Sequence, residues 1–113
     1  MSDYDKGLLS PDFIRILVNY CAERRIPCVA DAKRKPYTYA GAIVKANEAW
    51  FNSYGDGVDS FIITRGASRP MVYSAPYHPD CTISNILPPV ECVNHVGAGD
   101  CFAAHLVLGL TYG

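Results

Sequence analysis

Gly97, Ala98, Gly99 and Asp100 form the stretch of this chain with the clearest capacity for chemistry. Glycines let the backbone turn tightly and bring N–H groups to a ligand, and a helix that begins there adds partial positive charge. A carboxylate in the first helical turn can accept a proton from a hydroxyl that attacks the bound anion. The pattern predicts phosphoryl transfer to an alcohol; the alternative is that these residues simply begin a buried helix.

Two common nucleotide-binding motifs do not fit the sequence. The dinucleotide fingerprint needs Gly or Ala at its sixth position, where this chain has Phe102. A Walker A loop needs Gly-Lys-Ser or Gly-Lys-Thr, and the chain contains neither. A standard P-loop enzyme is therefore excluded.

The other candidate residues follow short apolar runs that predict buried strands. Residues 28–30, 42–44 and 60–64 form these runs, and their length and apolar character are typical of parallel strands. Parallel sheets bind ligands beyond the carboxyl ends of their strands. The polar residues at these ends are Asp31, Lys33, Asn47, Thr64 and Arg65.

Helices are predicted on both sides of these strands in the chain. Ser10, Pro11 and Asp12 are typical of a helix start, because they supply a cap, a favourable φ and a negative charge at the positive end of the dipole. A brief helix is predicted over residues 48–54. An almost wholly apolar helix, buried on most sides, is predicted over residues 101–110.

The remaining signals complete an α/β pattern. Residues 71–73 predict a hairpin partner for the third strand, and residues 81–83 predict another short strand before the turn at Pro88 and Pro89. The order of elements predicts an α/β fold, a mostly parallel sheet flanked by helices, with residues 1–113 forming a single domain.

Composition limits the function further. The chain has 113 residues, 50% of them hydrophobic and 19% charged, with a formal net charge of −1. It therefore lacks the broad positive field that holds nucleic acid or an anionic membrane. No apolar stretch reaches the roughly 20 residues that span a bilayer, and the first residues do not form a signal peptide. Five cysteines without a Cys-x-x-Cys pair indicate a reducing, cytoplasmic location and mostly small core residues.

Five blocks of sequence, taken in order, resemble the second half of the ribokinase-like (PfkB) carbohydrate kinases. Among these, the likeness is greatest to the heptose-phosphate kinases of lipopolysaccharide precursor synthesis. Five ordered blocks are more specific than one glycine loop. The blocks are residues 2–7, 30–35, 45–48, 63–66 and 97–100.

The resemblance implies an activity and a role for each matched residue. Asp100 matches the general base that takes the proton of the sugar hydroxyl as it attacks the γ-phosphate of ATP, and Mg²⁺ arrives with the ATP. Gly97, Ala98 and Gly99 match the backbone cradle for the developing negative charge. The nucleotide side would comprise Lys33, Asn47, Thr64, Arg65 and Gly66, and the acceptor side would comprise Asp3 and Lys6.

Several positions depart from the family pattern. The family has Asp-Thr where this chain has Asn94 and His95, which argues against activation by a monovalent cation. Trp50 replaces the Glu of the Asn-x-x-Glu pattern, and Ala46 replaces the proline before Asn47. These changes predict an altered nucleotide side.

The resemblance covers well under half of a complete kinase. It implies that this chain lacks the amino-terminal sheet and lid that hold the sugar and the final segment that helps to hold adenine. A sheet cut on both sides would have unpaired edges, which predicts a homo-oligomer or a complementing chain.

Three functions remain open at this point. The favoured one is an ATP-dependent kinase for a sugar or sugar phosphate. The alternative is a truncated, non-catalytic relative that acts as a nucleotide-binding or assembly module, and the third is a nucleotide-binding regulatory domain. Cys92, His95, Cys101 and His105 also admit a zinc site, but their spacing matches no standard zinc signature, and packing explains them more simply.

Overall fold

The computed structural model describes residues 1–54, 60–66, 68–74, 94 and 96–112, with the backbone alone for 68–74. Four strands and three α-helices follow one another in this part of the chain, with a 3-10 helix at Pro36–Tyr39. The helices are α1 (Pro11–Glu23), α2 (Glu48–Tyr54) and α3 (Ala98–Tyr112). The strands are β1 (Val29–Asp31), β2 (Ile43–Asn47), β3 (Ser60–Arg65) and β4 (Ser68–Ser74).

The strands form one sheet in the order β1-β2-β3-β4. The pairs β1–β2 and β2–β3 are parallel, and β4 returns antiparallel to β3. These pairings confirm the predicted mostly parallel sheet and its hairpin. Strand β2 extends to Asn47, beyond its predicted end at Val44, because residues 45–47 continue the parallel pairing with β3.

The first three residues lie along the free side of β1. The N–H of Asp31 donates to the carbonyl of Met1 at 2.9 Å, and the N–H of Asp3 donates to the carbonyl of Asp31 at 3.2 Å. The expectation of an unpaired edge is therefore wrong for β1. This pairing also carries the residues after Ser2 toward the carboxyl end of the strand.

Helix α1 begins as its sequence predicts. The Ser10 hydroxyl accepts a hydrogen bond from the N–H of Phe13 at 3.2 Å, which satisfies an amide that the first turn leaves free. The buried face of the helix presents Ile14 and Val18 to the core. Val44 and Ile63 of the central strands belong to the same core, so α1 and the sheet enclose it.

Helix α3 differs from its prediction. It runs from Ala98 to Tyr112 and so extends past the predicted residues 101–110 at both ends. None of its 15 residues is buried, and 53% of Leu108 and 84% of Tyr112 are exposed. The expectation of a helix buried on most sides is wrong. Helix α3 contacts β1, but its apolar composition is not matched by burial.

Some predictions lie outside the described residues. These are the strand at residues 81–83, the turn at Pro88 and Pro89, and the structure around Cys92. Among the cysteines that the structure describes, Cys28 packs against the core, whereas Cys101 is exposed and contradicts the core expectation. Within the described ranges, no helix combines the length and the apolar character that crossing a bilayer requires.

Candidate functional site

The candidate site lies at the amino end of α3. Gly97 has a φ of +77°, in the left-handed region that favours glycine, and its carbonyl accepts a hydrogen bond from the N–H of Cys101 at 2.9 Å. Just before Gly97 in the chain, the Asn94 side chain accepts a hydrogen bond from the N–H of Val96 at 2.9 Å. The glycine therefore turns the chain directly into the helix that carries Asp100.

Asp100 is exposed and contacts a residue from the other end of the chain. The Tyr4 hydroxyl donates a hydrogen bond shared between the two carboxylate oxygens of Asp100, at 3.2 and 3.3 Å. The charge of Asp100, and then the hydrogen bond to it, raise the pKa of Tyr4 above its ordinary value. The contact brings the first and last predicted blocks together, and the sequence analysis gave Tyr4 no individual role.

A buried ion pair between Lys45 and Asp31 lies next to the first turn of α3. The ammonium of Lys45 is 3.1 Å from a carboxylate oxygen of Asp31, and both side chains are almost fully buried. The two residues are direct neighbours in the register of β1 and β2. A Cβ added to Gly99 would lie only 2.8 Å from the Lys45 Nζ atom. The absent side chain at residue 99 therefore lets a positive charge approach the first turn of α3.

Lys45 is the main site residue that the sequence analysis did not select. The signal that could have identified it is a charged residue between the apolar residues Val44 and Ala46. A lysine within an apolar strand is rarely buried unless it is paired. Asp31, one strand away at the same level, is its partner.

Two predicted nucleotide-side residues lie at the same edge of the sheet. Asn47 and Thr64 are register partners at the carboxyl ends of β2 and β3. The Asn47 side chain accepts a hydrogen bond from the N–H of Trp50 at 2.9 Å, and the Thr64 hydroxyl donates to the carbonyl of Ala46 at 3.3 Å. Asn47 therefore caps α2 through its oxygen, and its amide NH₂ is the group left to meet a ligand.

The turn after β3 continues this edge. Arg65 ends the strand, and Gly66 follows with a φ of +57° and no atom within 4 Å of an added Cβ. The backbone is therefore open on that side of Gly66. Gly66 adopts a positive φ that residues with a side chain adopt less readily.

The predicted acceptor-side residue Asp3 has a different environment. Only 2% of this residue is exposed, and one carboxylate oxygen accepts hydrogen bonds from the Tyr39 hydroxyl at 2.8 Å and from Arg34 at 2.9 Å. The N–H of Asp5 donates to the other oxygen at 2.9 Å. Burial alone would raise the pKa of Asp3, but these hydrogen bonds and the Arg34 charge outweigh it and lower the pKa below its ordinary value. The carboxylate thus has three protein partners within the fold.

Two predicted lysines are exposed and lie outside this arrangement. The side chains of Lys33 and Lys6 are exposed. The backbone N–H of Lys33 donates to the Tyr39 hydroxyl at 3.1 Å, which ties the strand-end turn to the Asp3 environment. The structure therefore gives Lys33 a backbone role in that turn.

The charged groups around Gly99 are the Lys45 ammonium, the Asp31 carboxylate paired with it, and Asp100. Lys45 supplies a positive charge, and its ammonium occupies the space that the missing Cβ of Gly99 leaves. Among the described residues, no three His, Cys, Asp or Glu side chains converge as a metal cluster. Mg²⁺ commonly uses one or two carboxylates together with substrate phosphates. Asp31 is buried and paired with Lys45, so Asp100 is the exposed carboxylate at this site.

Comparisons with models of protein families, with curated proteins and with solved structures return no match for this chain. The assignment of function therefore depends on the residues and their geometry.

Proposed function

We propose that this protein is an ATP-dependent carbohydrate kinase that phosphorylates a hydroxyl of a sugar or sugar phosphate, such as a heptose phosphate. The observation that carries the proposal is the approach of the Lys45 ammonium to Gly99 at the start of the helix that bears Asp100. The positive charge of Lys45 on β2 thereby lies next to the first turn of α3, which supplies backbone N–H groups and the Asp100 carboxylate. Phosphoryl transfer to an alcohol needs these three elements.

In the proposed reaction, the chain provides positioning and charge. The N–H groups at Gly99 and Asp100, with the Lys45 ammonium, would stabilise negative charge on the transferred phosphoryl group. Asp100 would accept the proton of the attacking hydroxyl, after the Tyr4 hydroxyl has turned away or exchanged its hydrogen bond to the acceptor. ATP with Mg²⁺ supplies the phosphoryl group and neutralises part of its charge.

The deciding experiment is ATP turnover against a panel of sugars and heptose phosphates. Asp100→Asn should reduce the rate by about 100- to 10,000-fold, the usual contribution of a general base. Asp12→Asn is the matched control, since Asp12 is an exposed aspartate in the first turn of another helix. Equal rates for wild type and Asp100→Asn would remove Asp100 from the mechanism.

A specific observation favours the second candidate, a non-catalytic nucleotide-binding or assembly module. Trp50 stands where the resemblance places a Glu, and its indole N–H donates to the carbonyl of Arg34 at 2.8 Å. The position thus contributes packing rather than a carboxylate. Thermal unfolding with and without Mg-ATP tests for nucleotide binding, because a ligand of the folded state raises Tm; ATP turnover then separates the kinase from a nucleotide-binding module. No rise in Tm at millimolar ATP would favour the assembly module.

We further propose that the sheet is a partial ribokinase-like sandwich and that the protein acts in the cytoplasm as an oligomer or with a complementing chain. The exposed apolar side chains of α3, with Leu108 and Tyr112 the most prominent near its end, support association. Sedimentation velocity over a range of concentrations tests this. Leu108→Lys should shift the distribution toward the monomer. A wild type that stays monomeric at every concentration would contradict self-association.

A further inference from the structure

Cys101 and His105 form an exposed pair on α3 that the proposed kinase reaction does not use. They are four residues apart, which places them on the same face of the helix. The Cys101 sulfur lies 3.5 Å from the Nδ1 atom of His105. Both side chains are exposed to solvent. A thiol and an imidazole are therefore held side by side at the surface.

The separation of these two atoms matches a metal chelate. Tetrahedral zinc binds sulfur at about 2.3 Å and imidazole nitrogen at about 2.0–2.1 Å, which places the two ligand atoms about 3.5 Å apart. The observed distance is 3.5 Å before any metal binds. The helix holds both side chains near this spacing, and an arriving ion has to displace the hydrogen bond between Nδ1 and the Cys101 carbonyl.

We propose that Cys101 and His105 form a two-ligand site for a borderline divalent metal ion, with Zn²⁺ as the preferred ion and Cd²⁺ as a close substitute. Thiolate and imidazole together favour these ions over Mg²⁺ and Ca²⁺, which prefer oxygen ligands. Among the described residues no third His, Cys, Asp or Glu completes the set. Water would fill the remaining positions.

Binding requires two changes of protonation at the pair. The Cys101 thiol releases its proton to the solvent, because the thiolate is the metal ligand. Because a carbonyl oxygen only accepts, Nδ1 of His105 carries the proton in this structure and donates it to the Cys101 carbonyl at 2.9 Å. Metal binding breaks this hydrogen bond and moves the proton to Nε2, which leaves the Nδ1 lone pair for the metal. The site therefore weakens as the pH falls, and metal uptake releases protons.

The test is titration of the intact chain with Cd²⁺. The ultraviolet charge-transfer absorption of a cadmium–thiolate bond monitors the binding. Wild type should bind one Cd²⁺ through this pair. Cys101→Ser should lose that absorption, and His105→Ala should weaken binding about tenfold or more, since one of two ligands is lost. Cys21→Ser is the control for the second thiol pair, since the Cys21 and Cys28 side chains are hydrogen-bonded to each other, and it should retain the signal.

Zinc protection gives a second readout that is independent of kinase activity. Saturating Zn²⁺ should slow alkylation of Cys101 by iodoacetamide in wild type and should have no such effect in His105→Ala, as measured by peptide mass spectrometry. Equal Cd²⁺ affinity in wild type and His105→Ala, or unchanged absorption in Cys101→Ser, would overturn the proposal. Circular dichroism shows whether each variant retains its helices. Loss of kinase activity in Asp100→Asn bears only on the other proposal.

Discussion

The ammonium group of Lys45 occupies the space that a side chain on Gly99 would need, with 2.8 Å between Nζ and the position of an added Cβ. Real Cβ atoms essentially never come this close to another heavy atom. Lys45 is also held by Asp31 at 3.1 Å and is buried. The glycine and the ion pair are therefore mutually dependent.

Gly99→Ala should be about 1–2 kcal/mol less stable than Gly109→Ala, a variant of the same helix, because the added methyl group displaces an ammonium that Asp31 holds. The Lys45 ammonium would have to retreat from the helix start, so ATP affinity should fall as well. Urea unfolding measures the first effect and calorimetric titration with Mg-ATP the second.

Gly109→Ala is the control on the same helix. An added Cβ at Gly109 meets no atom within 4 Å. Alanine is the better helix former, so this variant should gain about 0.5–1 kcal/mol and bind ATP unchanged. If both alanine variants were equally stable, the contact between Gly99 and Lys45 would have no energetic weight.

The Asp31–Lys45 pair predicts strongly non-additive substitutions. Asp31→Asn or Lys45→Met leaves one buried charge without its partner and should cost about 3–5 kcal/mol. The double variant Asp31→Asn/Lys45→Met removes both charges and should cost clearly less than the sum of the two. Urea unfolding of all four proteins measures the coupling. Additive costs would show that the charges do not stabilise each other.

Local rules predicted the elements of this protein well but could not predict the pair. The Ser10 cap and the following proline place the start of α1, and Gly97 places the start of α3, because each signal acts within one helical turn. Lys45 was not identified because its burial depends on Asp31, which is distant in sequence. The exposure of α3 was missed for a related reason: apolar composition states what a helix prefers, and the neighbouring elements decide what it meets.

The contact between Tyr4 and Asp100 predicts a shifted phenol titration. Asp100 raises the pKa of Tyr4 through its charge and its hydrogen bond. Asp100→Asn removes the charge, so the pKa of Tyr4 should fall back toward its ordinary value. Carbon-detected NMR of the tyrosine rings measures this pKa, and Tyr4→Phe assigns the resonance. Asp12→Asn is the control and should leave the pKa of Tyr4 unchanged. A Tyr4 pKa equal in Asp100→Asn and wild type would show that the contact does not form in solution.

Because of Asp3, the free energy of unfolding should decrease as the pH falls into the acid range. Its pKa in the folded protein lies below the ordinary carboxyl value, because hydrogen bonds and Arg34 outweigh its burial. The unfolded chain therefore binds a proton first as the pH falls, and the stabilisation by Asp3 is complete above the ordinary carboxyl pKa of about 4 and disappears as the pH falls through the folded value. Asp3→Asn should cost about 2 kcal/mol at neutral pH, the range for a buried hydrogen bond to a charged group, and this difference from wild type should shrink in acid. Urea unfolding between about pH 7 and pH 2 measures it, with Asp12→Asn as the exposed control. A difference that stays constant across that range would mean that Asp3 stabilises the fold through its shape and not through its charge.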